Sequence, residues 1–284
     1  MIQDIAPHRL INHYNPEIDI NMESIVFSFH KNEVLVRKEG DHYLFPTYQE
    51  VREQFDYRYL FSLDDTTCFL AKDTVEMDGF SYVNIQELRT DEKETKPYFY
   101  AMITAYQLNN WYRNNRYCGR CGHEMIHDQE ERAVVCPHCH HIVYPKIVPA
   151  VIVGVINGEE ILLTRYAKGF AHNALIAGFT EIGETLEECV QREVYEEVGL
   201  KVKNIRYYKS QPWGIVDDLL TGYYCDVDGS TEIKMDKSEL KEAVWVERKD
   251  IAGQSLDFSL THEMMMTFRE GKEPLGYRYA GKDD

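Results

Sequence analysis

The chain has no run of about 18 or more apolar residues, so no segment reads as a membrane-spanning helix. Basic excess is missing as well. There are 31 Lys and Arg against 48 Asp and Glu, a formal net charge of −17. Generic nucleic-acid binding, which relies on basic surface to release counterions, is thereby disfavoured. An anionic small molecule is not excluded, because metal cations can stand between an acidic site and a phosphate. The cysteines do not pair off: there are seven, an odd number that fits a closed disulfide framework poorly. Residues Met1 to Leu10 carry Asp4 and no apolar core segment, so no secretory leader is expected. No low-complexity stretch interrupts the 284 residues, whose hydrophobic content of 44% suffices for packed cores.

What is present begins with thiols. Cys118-Gly-Arg-Cys121 and Cys136-Pro-His-Cys139 are two Cys-x-x-Cys knuckles with 14 residues between them. Two such turns present four sulfurs to one tetrahedral Zn²⁺. With every position filled by protein no place remains for water, so this zinc is read as structural. Two redox pairs or free thiols are the alternative. His123, His138, His140 and His141 could replace a cysteine, but they read as surface residues of the knuckles. A ribbon that binds nucleic acid is the functional alternative, weakened by the acidity of the chain. Metal-bound thiols point to a reducing compartment, and a cytoplasmic location is expected.

The rest of the chain organises around this insert. Ser24–Phe29, Glu33–Arg37, Tyr59–Ser62 and Thr67–Ala71 are short strand-like runs in a β-rich region that holds no chemical motif. Met102, Ala105, Leu108 and Trp111 step at three along a helix predicted over Tyr98–Asn114. Beyond Lys146, strands are predicted at Val148–Ile156, Glu160–Thr164 after an Asn157-Gly158 turn, Arg206–Tyr208, Leu219–Val227 and Ala243–Val246. Helices are predicted at Thr185–Val198 and Ser259–Arg269. This order suggests an α/β sandwich with a mixed sheet rather than a doubly wound one. The expected domains are 1–112 (β-rich, ending in a helix), 113–145 (zinc ribbon) and 146–275 (α/β), followed by a tail, 276–284.

The segment Gly178 to Leu200 carries the chemistry. Thr185 with Glu188 forms a capping box, Gly199 suits a left-handed helix cap, and Leu186, Val190, Val194 and Val198 form a buried stripe. At about 100° per residue, Glu197 lies ~40° and Glu196 ~60° from Glu193. Three carboxylates then share one face beside the stripe. Such crowding is destabilising unless divalent cations sit among them, and hard oxygen ligands suit Mg²⁺ or Mn²⁺. Gly178 and Gly183 are expected to allow tight turns, so that a carbonyl such as that of Ala177 joins the ligand shell. The bland alternative is a solvated acidic helix face.

The same residues match, position for position, a known box: Gly178, five residues, Glu184, seven residues, Arg192-Glu193-Val194-Tyr195-Glu196-Glu197-Val198-Gly199-Leu200. The chain therefore resembles the Nudix hydrolases, which implies an α/β/α sandwich. It also implies Mg²⁺- or Mn²⁺-dependent attack of water on a nucleoside diphosphate linked to another group. By that resemblance Glu193 and Glu197 are metal ligands, Glu196 supplies a ligand or base, and Glu184 and Arg192 orient helix and loop. From about Phe61 onward the chain is similar to the NADH pyrophosphatase subfamily. The similarity rests on Trp111-Tyr-Arg-Asn-Asn-Arg-Tyr-Cys-Gly-Arg-Cys-Gly, on Tyr144-Pro145-Lys146, and on Ser210-Gln211-Pro212-Trp213 after the box. Gly214, Ile215, Val216 and Asp218 then replace the Pro, Phe, Pro and Ser of the subfamily signature. The loop should be more flexible for the loss, and the Asp217-Asp218 pair would repel a phosphate unless it binds metal or faces elsewhere. The resemblance places Tyr144 and Phe179 on either side of the nicotinamide ring, Gln211 and Trp213 in the pocket wall and Thr261 near substrate. It makes Glu239 a distal metal ligand, or else an ordinary solvated Glu ahead of a strand. Trp245 reads as core.

Hydrolysis of NAD(H) to nicotinamide mononucleotide and AMP is the expected activity. A Nudix enzyme acting on ADP-ribose, a dinucleotide polyphosphate or an NAD-capped RNA end is the second reading. A non-catalytic nucleotide-binding module is the third, opposed by the intact Glu193, Glu196 and Glu197. The expected partner is a small dinucleotide, with no membrane and with nucleic acid only as a capped RNA end. A homodimer is implied by resemblance alone.

Overall fold

The computed structural model describes residues 1–51, 56–89, 92, 94–167, 173–252 and 258–275; the expected tail, 276–284, lies outside them. The chain divides into two compact units. One holds Ile2–Lys146 together with Trp213–Asp217; the other holds Ile147–Pro212 and Asp218–Asp284 with Met1.

The N-terminal unit contains β1 (Leu10–Ile11), β2 (Ile25–Phe27), β3 (Phe29–His30), β4 (Glu33–Glu39), β5 (His42–Leu44), the short α1 (Tyr48–Val51), β6 (Tyr57–Leu63), β7 (Thr66–Ala71) and β8 (Ser81–Asn84). They form two four-stranded sheets, ordered β1-β6-β7-β2 and β3-β4-β5 with β8 on β4. The run predicted as one strand over Ser24–Phe29 breaks at Ser28. Its buried hydroxyl lies 2.8 Å from the Tyr82 hydroxyl and accepts the Val75 N–H at 3.2 Å, which diverts the chain between sheets. The predicted helix is α2 (Lys96–Asn114), with Pro97 in its first turn and Met102, Ala105, Leu108 and Trp111 all buried. After it come β9 (Ile126–His127), β10 (Val134–Val135) and β11 (Ile142–Val143), a three-stranded antiparallel sheet.

The C-terminal unit is built on β12 (Val148–Asn157), β13 (Glu160–Tyr166), β14 (Ile176–Phe179), β15 (Val202–Trp213), β16 (Asp218–Val227) and β17 (Leu240–Glu247), with helices α3 (Leu186–Val198) and α4 (Leu260–Arg269). The strands make one sheet, β15-β16-β12-β13-β17, with β14 also on β12. The sheet is mixed: β12 runs parallel to β16 and antiparallel to β13 and β14. Successive side chains of a strand point to opposite faces, so β12 serves two cores at once. Val151, Val153 and Val155 pack with Cys189, Val190, Val194 and Val198 of α3. Ile152 and Ile156 pack with Leu260, Met264, Met265 and Phe268 of α4. Helix, sheet and helix therefore stack as the three layers the resemblance implied.

β15 is far longer than the predicted Arg206–Tyr208. Its polar residues mask the strand in sequence and are matched only across the sheet. Arg206 donates to both Asp226 oxygens of β16 at 2.9 Å, and Tyr207 and Tyr208 meet Tyr223 and Tyr224 edge-on. Trp245 is half-buried against the α3 core, and its indole N–H donates to the Thr231 carbonyl at 3.0 Å.

Candidate active site

The four knuckle thiols converge. Cys118 and Cys139 sulfurs are 3.6 Å apart, and Cys121 lies 3.4 Å from both Cys136 and Cys139. Four sulfurs at ~2.3 Å from one tetrahedral ion would sit about 3.8 Å apart, so the set fits Zn²⁺. None of the seven cysteines forms a disulfide. The two knuckles share one hydrogen-bond pattern. The Cys118 N–H donates to the His123 carbonyl and Gly122 back to Cys118; the Cys136 N–H donates to His141 and His140 back to Cys136.

Helix α3 opens with the predicted capping box. Thr185 Oγ1 accepts the Glu188 N–H at 3.2 Å, and Glu188 Oε2 accepts the Thr185 N–H at 2.8 Å. It closes at Gly199 in the left-handed conformation. Burial of the valine stripe then sets the rotation of the helix, and the acidic residues divide. Glu197 is 2% exposed, whereas the side chain of Glu196 is 59% exposed. Of the three carboxylates expected on one face, Glu193 and Glu197 turn inward and Glu196 lies at the surface.

Arg192 is the hub of a polar cluster on α3. Its Nε and Nη2 fork Glu184 at 2.8 and 2.9 Å, Nη2 reaches the Phe179 carbonyl at 2.9 Å, and Nη1 reaches Glu193 at 2.7 Å and Glu196 at 3.1 Å. Glu184 also accepts the Glu181 N–H at 3.0 Å. The Arg192 hydrogen bonds hold the Glu184 carboxyl down at about 2. This bidentate pair ties the loop after β14 to α3.

The inner pair behaves oppositely. Glu197 Oε2 is buried without a hydrogen-bond partner. Desolvation, then the charges of Glu193 and Glu239, push its carboxyl up to about 8. Burial likewise raises Glu193. Glu239 is itself exposed, yet its charge bears on both. A buried carboxylate oxygen without a hydrogen bond, under the charge of two other carboxylates, is a donor that a hard divalent cation suits. Among the described residues, the groups of three or more donors lying within 4.8 Å of one another are Cys118–Cys121–Cys136–Cys139 and Cys121–His123–His138. The carboxylates are not drawn together to that spacing.

Gly178 lies within β14 and not in a turn; Gly183, at φ +90°, is the turn residue. A Cβ on Gly178 would fall 2.0 Å from the Glu193 carboxyl carbon, so the glycine is needed for close approach. Ala177 pairs with Ile152 in the sheet, and its backbone N–H favours the ionised form of Glu197. Tyr166, at the end of β13, feels Glu197, Glu193 and Glu239. Sequence reasoning missed it, and only the irregular register at Arg165/Tyr166 marks it.

The remaining predicted residues scatter in role. Phe179 and Tyr144 are both exposed, and the Tyr144 hydroxyl donates to Glu131 at 2.7 Å. Gln211, expected in a pocket wall, is instead fully buried. Its Nε2 donates to the Phe258 carbonyl at 3.1 Å and its Oε1 accepts the Leu260 N–H at 2.6 Å, so it fastens the start of α4. Thr261 is half-buried in the first turn of that helix. Trp213 lies under the Arg89 guanidinium at 5.6 Å. A Cβ on Gly214 would meet the Ile103 carbonyl oxygen of α2 at 2.4 Å, which explains glycine there. Asp217 faces Lys146 Nζ at 3.7 Å, and Asp218 is buried at the start of β16.

The layered fold and box geometry are those of a Nudix domain, and comparison bears this out. Residues 146–266 match the NUDIX domain, and residues 113–144 match the NADH pyrophosphatase zinc ribbon domain. The chain thus carries a NUDIX domain joined to an NADH pyrophosphatase zinc ribbon, whose four cysteines are the zinc set described above. Among its relatives, the NAD-capped RNA hydrolase NudC of Haemophilus influenzae (strain PittEE) is 37% identical over 174 residues, 60% of this chain and 64% of that one. NudC of Escherichia coli O1:K1 / APEC is 46% identical over 148 residues, 51% of this chain and 56% of that one. The chain spans less than two thirds of the length of these relatives. A NUDIX hydrolase structure from Nitrosomonas europaea aligns with a TM-score of 0.48 at 22% identity, covering 55% of this chain and 92% of that one.

Proposed function

We propose that this protein hydrolyses the phosphoanhydride of an NAD-type dinucleotide, releasing nicotinamide mononucleotide and AMP. The observation that carries the reading is the buried Glu197 carboxyl, whose Oε2 has no hydrogen bond and which feels the charges of Glu193 and Glu239. Glu193 and Glu197, with Glu239 and the Ala177 carbonyl at the margin, would hold Mg²⁺ or Mn²⁺. Such an ion supplies charge neutralisation of the diphosphate and activation of water. Glu196, at the surface beside Arg192, is the group positioned to take a proton as water adds to phosphorus and the bridging P–O bond breaks. Arg192 and Glu184 hold the loop and helix in register. Exposed Phe179 and Tyr144 each offer a ring face to a base or nicotinamide. Trp213 and Thr261 are proposed substrate contacts, and Gln211 acts by positioning α4.

A second reading, removal of an NAD cap from RNA, is favoured by the names of the relatives and uses the same bond. The net charge of −17 weighs against an extended RNA contact. The experiment is a panel of NADH, NAD⁺, ADP-ribose, diadenosine polyphosphates and a short NAD-capped RNA, with Mg²⁺ or Mn²⁺ and product identification. AMP and nicotinamide mononucleotide, formed at a kcat/KM well above the other small substrates, support the first reading. A higher kcat/KM on the capped RNA supports the second, and binding without turnover of any substrate overturns both.

A further inference from the structure

We propose that Asp236 is a positioning residue for the metal site: it fixes the turn that carries Glu239 to the C-terminal end of α3, beside Glu197. The inference rests on the reading of Glu239 as a metal ligand. Residues 231–239, between β16 and β17, form neither strand nor helix, yet they are sewn to the end of α3. The last carbonyls of a helix have no partner within it. Here the segment supplies two: the Lys234 N–H donates to the Val198 carbonyl and the Asp236 N–H to the Glu197 carbonyl, both at 2.8 Å. Ile233 and Met235 pack against the apolar core that α3 covers, and the Trp245 indole N–H donates to the Thr231 carbonyl at 3.0 Å. A Cβ on Gly199 would fall 2.9 Å from Lys234 Cβ, so glycine there lets the segment close on the helix.

Asp236 engages this turn through its N–H, its carbonyl and its side chain. Its N–H reaches Glu197, as above. Its carbonyl accepts the Leu240 N–H at 2.9 Å and the Glu239 N–H at 3.4 Å. Its Oδ1 accepts the Ser238 N–H and the Ser238 hydroxyl, both at 2.7 Å, which closes the chain tightly around Lys237. On the far side the Glu239 carbonyl accepts the Ala167 N–H at 2.9 Å, just past β13, where Tyr166 pairs with Leu240. The Glu239 backbone is therefore clamped between the end of α3 and the end of β13. Its exposed side chain bears by charge on Glu193, Glu197 and Tyr166. Glu197 serves twice, its carboxyl toward the ion and its carbonyl as the anchor of Asp236. An outer partner that orients a ligand in this way tunes metal affinity without touching the ion.

The test is Mn²⁺ binding to the full chain, read by electron paramagnetic resonance of the free ion. Asp236→Ala should weaken binding about tenfold, and Glu239→Gln at least as much. The double variant should bind no more weakly than Glu239→Gln alone, because Asp236 acts through Glu239. Asp236→Asn keeps an oxygen acceptor for Ser238 and should bind nearly as the wild type does. Additive losses in the double variant overturn the proposal. So does an Asp236→Asn protein as weak as Asp236→Ala, which would make the carboxylate charge itself the cause. Unaltered binding by Glu239→Gln refutes the reading of Glu239 as a ligand, and the proposal with it. Weakening by Glu239→Gln but not by Asp236→Ala refutes the proposal alone. Should Asp236→Ala fold poorly, Ser238→Ala, which removes one of the two donors to Oδ1, takes its place: weaker binding is expected, and an unchanged affinity overturns the proposal.

Discussion

At the scale of single residues, Glu197 combines burial, like-charged neighbours and a missing hydrogen bond. Its folded carboxyl sits at about 8, above the ordinary value of 4.5. Between those limits the metal-free folded protein keeps a proton that the unfolded chain has released. Stability should therefore fall as pH rises through that window and level off above it. Urea midpoints in magnesium-free buffer at about pH 5.5 and about pH 8.5 should show the decline, with Mg²⁺ restoring the loss at the higher pH. Glu197→Gln should flatten the profile and lower kcat by on the order of 10²-fold or more. A wild-type profile with no slope would refute the assignment. Gly178→Ala tests the neighbouring contact. The added methyl must displace the Glu193 carboxylate, so metal-dependent activity should drop steeply while overpacking costs about 1–3 kcal/mol. Retention of full activity in a folded Gly178→Ala protein would show that Glu193 works from elsewhere.

At the scale of elements, two helices are fixed by small polar devices. Thr185→Ala removes the acceptor for the Glu188 N–H and the partner of its carboxylate, and should destabilise the C-terminal unit by about 0.5–2 kcal/mol. Gln211→Ala leaves the Phe258 carbonyl and the Leu260 N–H without that buried amide, at about 1–3 kcal/mol. If Gln211 contacts substrate directly, KM will rise without loss of stability, and chemical denaturation of the variant separates the two roles. The capping box was legible in sequence because it spans four residues. The Gln211 clamp was not, because it joins residues 47 and 49 positions apart.

At the scale of the whole molecule, the chain consists of two units with different means of support. The C-terminal unit rests on two apolar cores either side of one sheet. The ribbon, with strands of two residues each, has little apolar burial and depends on its metal. Cys136→Ser should therefore raise amide exchange across residues 118–143 while leaving β12 and β16 protected. Uniform loss of protection would show that the zinc supports the entire chain.

Short-range spacing determined much of this protein. The two Cys-x-x-Cys turns, the Thr185–Glu188 box, the valine stripe and the phase of Glu193 and Glu197 follow from chain geometry over a few residues. Any folded form of the sequence must express them. The tertiary structure alone decided that Glu197 is stripped of water, that Glu239, in the turn before β17, bears on it by charge, that Gly178 yields space to Glu193, and that His123 stacks on His138. Desolvation, close approach and convergence depend on which elements pack together, and one-dimensional spacing does not encode them.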